Sequence, residues 1–248
     1  MLGGALVGAV ACSTNHSVPA VSAQGDPDVL NFALNLEYLE AEFYSMAVTG
    51  KTIEANGQAI TGTGTQGATT GGAMVNFTDS FTKAVAAEIY QDELDHVQFL
   101  RAALGSYAVA KPTINLDGLG TTPGADMLQS TFLVLARAFE DTGVSAYGGA
   151  APLLMSKTIL GYAAQILAVE AYHAGNIRLL VAQQNISTKQ TDSQDVLPPP
   201  SGTQYFTTYP NPVSASPTSG GLAVIRTVPQ VVSIVTPFFP NGINGVIQ

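Results

Sequence analysis

The chain has one cysteine, only nine lysines and arginines together, and a charged fraction of 11%. A lone Cys12 excludes an internal disulfide. Few basic residues and a net charge of −9 exclude nucleic acid as a partner, because phosphates need a basic patch to meet. The leading apolar run, Leu2 to Ala11, is far shorter than a helix that crosses a bilayer. What remains is a mildly acidic chain of 248 residues, rich in Gly, Thr, Ser and Ala and long enough to bury a real core. Its surface suits attraction of cations.

The short apolar run matches the apolar region of an export signal. Small-residue cleavage patterns follow it, Ala9-Val-Ala11 before Cys12 and Val21-Ser-Ala23 before Gln24. Residues 1–25 are therefore expected to be a leader, and the protein to work outside the cytoplasm, in a periplasm, on a cell surface or secreted. Cys12 then has two readings, an inert residue of a discarded leader or a lipid-anchored one.

From Pro27 the pattern is helical. Leu30, Ala33, Leu34, Glu37, Ala41, Tyr44 and Val48 share one stripe of a first helix that Gly50 ends. A glutamate inside such a stripe is costly unless it is paired or bound to metal. Residues 50–77 form a Gly/Thr-rich insert, read as a loop or small β-ribbon with a turn at Asn56-Gly57. Asp79 opens a second helix that Gly105 stops. Residues 106–124 can reach about 60 Å when extended, against about 40 Å for the second helix. They suffice as a long crossover along the bundle. A third helix from Asp126 and a fourth from Pro152 follow, joined by a short turn and hence antiparallel.

After residue 185 prolines forbid long helices. The runs 222–228 and 231–235 are β-prone and read as short strands. This irregular arm, 186–248, is expected to wrap the bundle; the alternative is edge pairing with a second subunit, giving a homo-oligomer.

Two of the three histidines follow a glutamate by three residues, in Glu93-Leu-Asp-His96 and Glu170-Ala-Tyr-His173. On a helix those partners lie about 60° apart and about 4.5 Å along the axis, so carboxylate and imidazole point the same way. An internal duplication frames them. Glu37 and Tyr44 are seven residues apart, as are Glu140 and Tyr147; Glu93-x-x-His96-x4-Arg101 echoes Glu170-x-x-His173-x4-Arg178. Each half supplies one lone carboxylate and one carboxylate–imidazole pair. Four glutamates and two histidines meet the needs of two iron or manganese ions, with room for O2 or peroxide. Arg101 and Arg178 lie about 140° around the helix from their histidines and are read as structural. Asp92, Asp95 and Asp141 are read as solvated, or as orienting a histidine.

With these motifs the chain resembles the ferritin-like superfamily over residues 27–184. The phrases LNFALNLEYLEAEFY and FFPNGINGVI are similar to a ferritin-like family that includes desiccation-related and fungal stress-induced proteins. The resemblance implies an all-α, ferritin-like four-helix bundle over 26–185. It implies Glu37 rather than Glu40 or Glu42 as the first-helix ligand. Glu93 and Glu170 would bridge two ions, Glu37 and Glu140 would be terminal ligands, and His96 and His173 would complete one ion each. Tyr44 and Tyr147 would hydrogen-bond the carboxylates from behind. Glu40 departs from the pattern, as a seventh ligand or a side chain reaching solvent. The implied activity is redox chemistry on Fe(II), O2 or peroxide; the alternative is a non-enzymatic stress or structural protein whose metal only staples the helices.

Overall fold

The computed structural model describes residues 25–118, 127–206 and 221–245. The expected leader with Cys12 lies outside them. Four long helices make the bundle: α1 (Asp26–Thr49), α2 (Ser80–Leu104), α3 (Gln129–Ala150) and α4 (Lys157–Gln183). Among the described residues no helix is long and apolar enough to cross a membrane.

Local chemistry sets the helix ends. Pro27 occupies the first turn of α1, where its missing N–H costs nothing. The Asp79 carboxylate caps α2 by accepting from the Thr82 N–H at 2.7 Å. Ser156 caps α4 by accepting from the Ile159 N–H at 3.3 Å. That helix starts five residues after Pro152, which sits instead in a short 3-10 turn, Ala151–Leu153. The Asp26 carboxylate fixes the connection by accepting from Met155 N–H at 2.7 Å and Ser156 N–H at 3.0 Å. Helix α3 begins at Gln129 because the two residues before it are extended and paired; the expected cap, Asp126, lies outside the described residues.

The insert is not a hairpin over one end of the bundle. It pairs with the crossover, in parallel, at three successive places. Thr63 bridges Val109, β1 (Thr69–Thr70) pairs with β3 (Ile114–Asn115), and β2 (Val75–Asn76) pairs with β4 (Met127–Leu128). The insert thus runs beside residues 109–115 after α2 and beside Met127–Leu128 at the start of α3. Asn56 turns its amide to Ser45, Thr49 and Tyr90 rather than heading a hairpin.

The described parts of the arm lie on α3, on α1 and on the last turns of α4, where Arg178 donates to the carbonyls of Gln204 and Tyr205. Arg137 of α3 holds Asp195 at 2.7 Å, and the Arg226 N–H donates to the Ser145 carbonyl at 3.0 Å. Gly149 permits that approach, since a Cβ there would stand 1.8 Å from the Arg226 carbonyl oxygen. The run 231–235 is helical, not a strand: α5 (Val228–Val235) packs on α3 and buries Val231 and Val235. Near residue 244 the arm reaches α1. Asn35 donates to the Asn244 carbonyl at 2.8 Å, and the Asn244 amide donates to the carbonyls of Thr65 and Ala110.

These layers divide the bundle. Twenty of the 24 residues of α1 and 16 of the 22 of α3 are buried, so both helices are covered on every side. Only 9 of 25 in α2 and 10 of 27 in α4 are buried. The α2–α4 side is the bare one.

Candidate metal centre

The two i,i+3 pairs face each other inside the bundle. Glu93 and Glu170 are fully buried, and His96 and His173 nearly so. His96 Nδ1 lies 3.2 Å from Glu37 Oε2, 3.4 Å from Glu93 Oε2 and 3.5 Å from Glu170 Oε1. His173 Nδ1 lies 3.0 Å from Glu93 Oε1 and 3.4 Å from Glu140 Oε2. The imidazole centroids are 6.2 Å apart. Two four-residue sets result, Glu37, Glu93, His96, Glu170 and Glu93, Glu140, Glu170, His173, each with its ligand atoms within 4.8 Å of one another. Glu93 and Glu170 belong to both, and Glu93 gives one oxygen to each histidine.

Tyr147 donates its hydroxyl to Glu37, and Tyr44 donates to Glu140. The tyrosines therefore cross the bundle, each steadying the lone glutamate of the opposite half. Burial raises both phenols well above their ordinary range, so they remain donors.

The cluster is short of hydrogen bonds and long on charge. Both oxygens of Glu93 and of Glu170, Glu140 Oε2 and His173 Nδ1 are buried without a hydrogen-bond partner. Burial raises the carboxyls of Glu37, Glu140, Glu170 and Glu40, with Glu37 at about 7 and the last two well above the usual range. Burial works against Glu93 too, but the imidazoles of His173 and His96 beside its two oxygens outweigh it and hold that carboxyl below the usual range. It also opposes charge on the imidazoles; Glu140 pushes His173 up to about 12, and Glu37 raises His96 further. Several carboxylates crowded into one dry space, with orphaned lone pairs converging, fit a divalent cation in each set.

Residues 25–183 match a family model described as a ferritin-like domain. The chain belongs to the ferritin-like domain family. No curated protein matches it. A ferritin-like bundle draws its site from all four helices, and here α1 gives Glu37, α2 Glu93 and His96, α3 Glu140, and α4 Glu170 and His173.

Other polar residues separate sharply. Glu40 does not reach solvent; it is 4% exposed and turned toward the ferritin-like site, where Glu170 and Glu93 add to the rise in its pKa. Its counterpart in the duplication is Gly143. A Cβ there would stand 2.3 Å from Glu170 Oε2 and 3.1 Å from Glu40 Oε1, so the absence of a side chain makes room for both carboxylates. Glu42 leaves the site and pairs with the buried Lys111 at 3.0 Å. Asp141 is not solvated: it is buried between Arg178 at 2.7 Å and Arg137 at 3.3 Å. Among the described residues Arg101 meets no acid and donates to the Tyr38 hydroxyl and to the Thr61 carbonyl. Asp95 is exposed and takes a hydrogen bond from Gln91. Asp92 accepts from His173 Nε2 at 3.0 Å and so turns Nδ1 toward Glu93 and Glu140. The histidine-orienting role open to Asp92, Asp95 and Asp141 thus falls to Asp92; sequence spacing does not say which, because the bond joins α2 to α4 across the bundle.

Proposed function

We propose that this ferritin-like protein holds a dinuclear iron or manganese centre and works as an oxidoreductase on O2 or peroxide. The observation that carries the reading is the pair of interlocked ligand sets with their buried, unpartnered oxygens. Glu37 and Glu140 would be terminal ligands, Glu93 and Glu170 would bridge, and His96 and His173 would complete one ion each. Hard carboxylate donors with one imidazole per ion suit iron and manganese. Such a centre, when bound, supplies one- and two-electron exchange with O2 or peroxide.

The protein's part is positional. Tyr44 and Tyr147 hold Glu140 and Glu37 in place and keep their own protons. Burial keeps the carboxylates away from solvent, and the crossing of donors between halves ties α1 to α3 at the site. The working site in this proposal is extracytoplasmic, in line with the narrower resemblance to desiccation-related and stress-induced proteins.

The test is elemental analysis of gently purified protein beside a Glu93→Ala/Glu170→Ala double variant, followed by O2 and peroxide assays. The expected result is about two iron or manganese ions per chain, lost in the variant, with turnover by the loaded wild type. Absence of metal in the wild type after loading overturns the reading. Because the cluster joins all four helices, the second reading is a metal staple without catalysis. It is favoured if loading raises Tm but peroxide and O2 are left untouched.

A further inference from the structure

Most of the buried cluster is walled in by α1, α3 and the segments lying on them. The bare seam between α2 and α4 is different. A cavity of about 160 Å3 opens there, lined among others by Val85, Glu88 and Asp92 of α2 and by Tyr172, His173 and Asn176 of α4. Its rim faces solvent: Glu88 is exposed, Tyr172 is 69% exposed, and the Asp92 side chain is 40% exposed. Its floor is His173, only 4% exposed. Behind that imidazole, His173 Nδ1, Glu93 Oε1 and Glu140 Oε2 converge, buried and without hydrogen-bond partners. A surface carboxylate, a cavity and a set of orphaned ligand atoms therefore stand in line.

We infer that this cavity is the entrance by which a divalent cation reaches the centre, and that Asp92 is its receiving carboxylate as well as the positioner of His173. The inference rests on the dinuclear site proposed above. Two carboxylates at the mouth of a low-dielectric cleft concentrate cations and hasten their capture. Asp92 reaches both ways: one face meets solvent, and one oxygen holds His173 Nε2 at 3.0 Å. The duplication sharpens the argument, because the position matching Asp92 in the second half is Val169. Among the described residues the His96 side has no equivalent acid, so the two ion positions fill unequally and the His173 position exchanges first.

The experiment follows Co(II) uptake by stopped-flow absorption and Mn(II) uptake by equilibrium titration, using the whole chain. Wild type, Val85→Trp, Asp92→Asn and Glu88→Gln are compared. Val85→Trp fills the cavity from a position remote from the ligands. It is expected to slow Co(II) uptake at least tenfold while the final stoichiometry and Tm stay put. Asp92→Asn should weaken one of two Mn(II) ions about tenfold, the low end for a lost ligand-orienting bond, and leave the other in place. Glu88→Gln should slow uptake a few-fold at low salt and little at high salt. Wild-type rates in all three variants overturn the entrance, as does equal weakening of both ions in Asp92→Asn. Should Val85→Trp fail to fold, the two surface variants decide alone. A wild-type chain that takes up neither ion overturns the dinuclear site itself, which keeps the two failures apart.

Discussion

The two halves of the bundle carry the same ligands in different surroundings. Glu37, Glu93 and His96 are matched by Glu140, Glu170 and His173, and each half's tyrosine serves the other half's glutamate. Beyond that shell the match fails. Glu40 faces Gly143, Asp92 corresponds to Val169, and Arg101 corresponds to Arg178, with neutral partners in one half and a buried acid in the other. The difference separates two kinds of constraint. Ligand positions obey helical spacing and an approximate twofold relation, while their neighbours answer to whatever covers each helix. The first half is covered by the insert, the crossover and the arm near Asn244, the second chiefly by the rest of the described arm.

The largest break in the comparison should come at the paired arginines. Arg178→Ala leaves Asp141 buried beside one guanidinium and frees the carbonyls of Gln204 and Tyr205. It should cost about 3–5 kcal/mol in chemical denaturation. Arg101→Ala, losing only neutral acceptors, should cost about 1–2 kcal/mol. Equal costs would mean that the arm contributes nothing to α4.

Next in size is Gly143→Ala. Its methyl group would meet Glu170 Oε2 and push a carboxylate common to both sets. Mn(II) titration should show both ions weakened, by about tenfold or more. Weakening of only one would show that Glu170 serves a single ion.

The smallest effect belongs to the tyrosines, and it sharpens the likeness instead of breaking it. Tyr44→Phe and Tyr147→Phe each remove one hydrogen bond to a terminal glutamate. Each should lower the affinity of one ion by about fivefold, corresponding to about 1 kcal/mol. A marked inequality between the two would show that the twofold relation stops at the ligands.

The same division explains what could be read from the sequence. Glu93 with His96 and Glu170 with His173 are i,i+3 neighbours, and that geometry is fixed by the helix alone. The matched spacings of Glu37 to Tyr44 and Glu140 to Tyr147 likewise exposed the duplication, and the length of 106–124 exposed the crossover. Relations between helices were not legible. Nothing local tells that Asp92 meets His173, that Asp141 is sealed between two arginines, or that Glu42 pairs with Lys111. The run 231–235 misled for a different reason. Its valines and isoleucine favour strands, but Thr227 and Gln230 form a capping box around Pro229, and Val231 and Val235 fall on one buried helical face. A cap and a stripe together overrode propensity.

Asn244 gives the fold a clock. Its side chain and backbone join Asn35 of α1 to Thr65 of the insert and Ala110 of the crossover. The clasp spans 209 residues of sequence. At a synthesis rate of about 5–20 residues per second, α1 waits roughly 10–40 s between its own emergence and the arrival of this partner. During that interval its outer polar face is incompletely bonded, although all the ligand-bearing helices have already been made. The buried carboxylate–imidazole cluster can therefore assemble before its enclosure is finished.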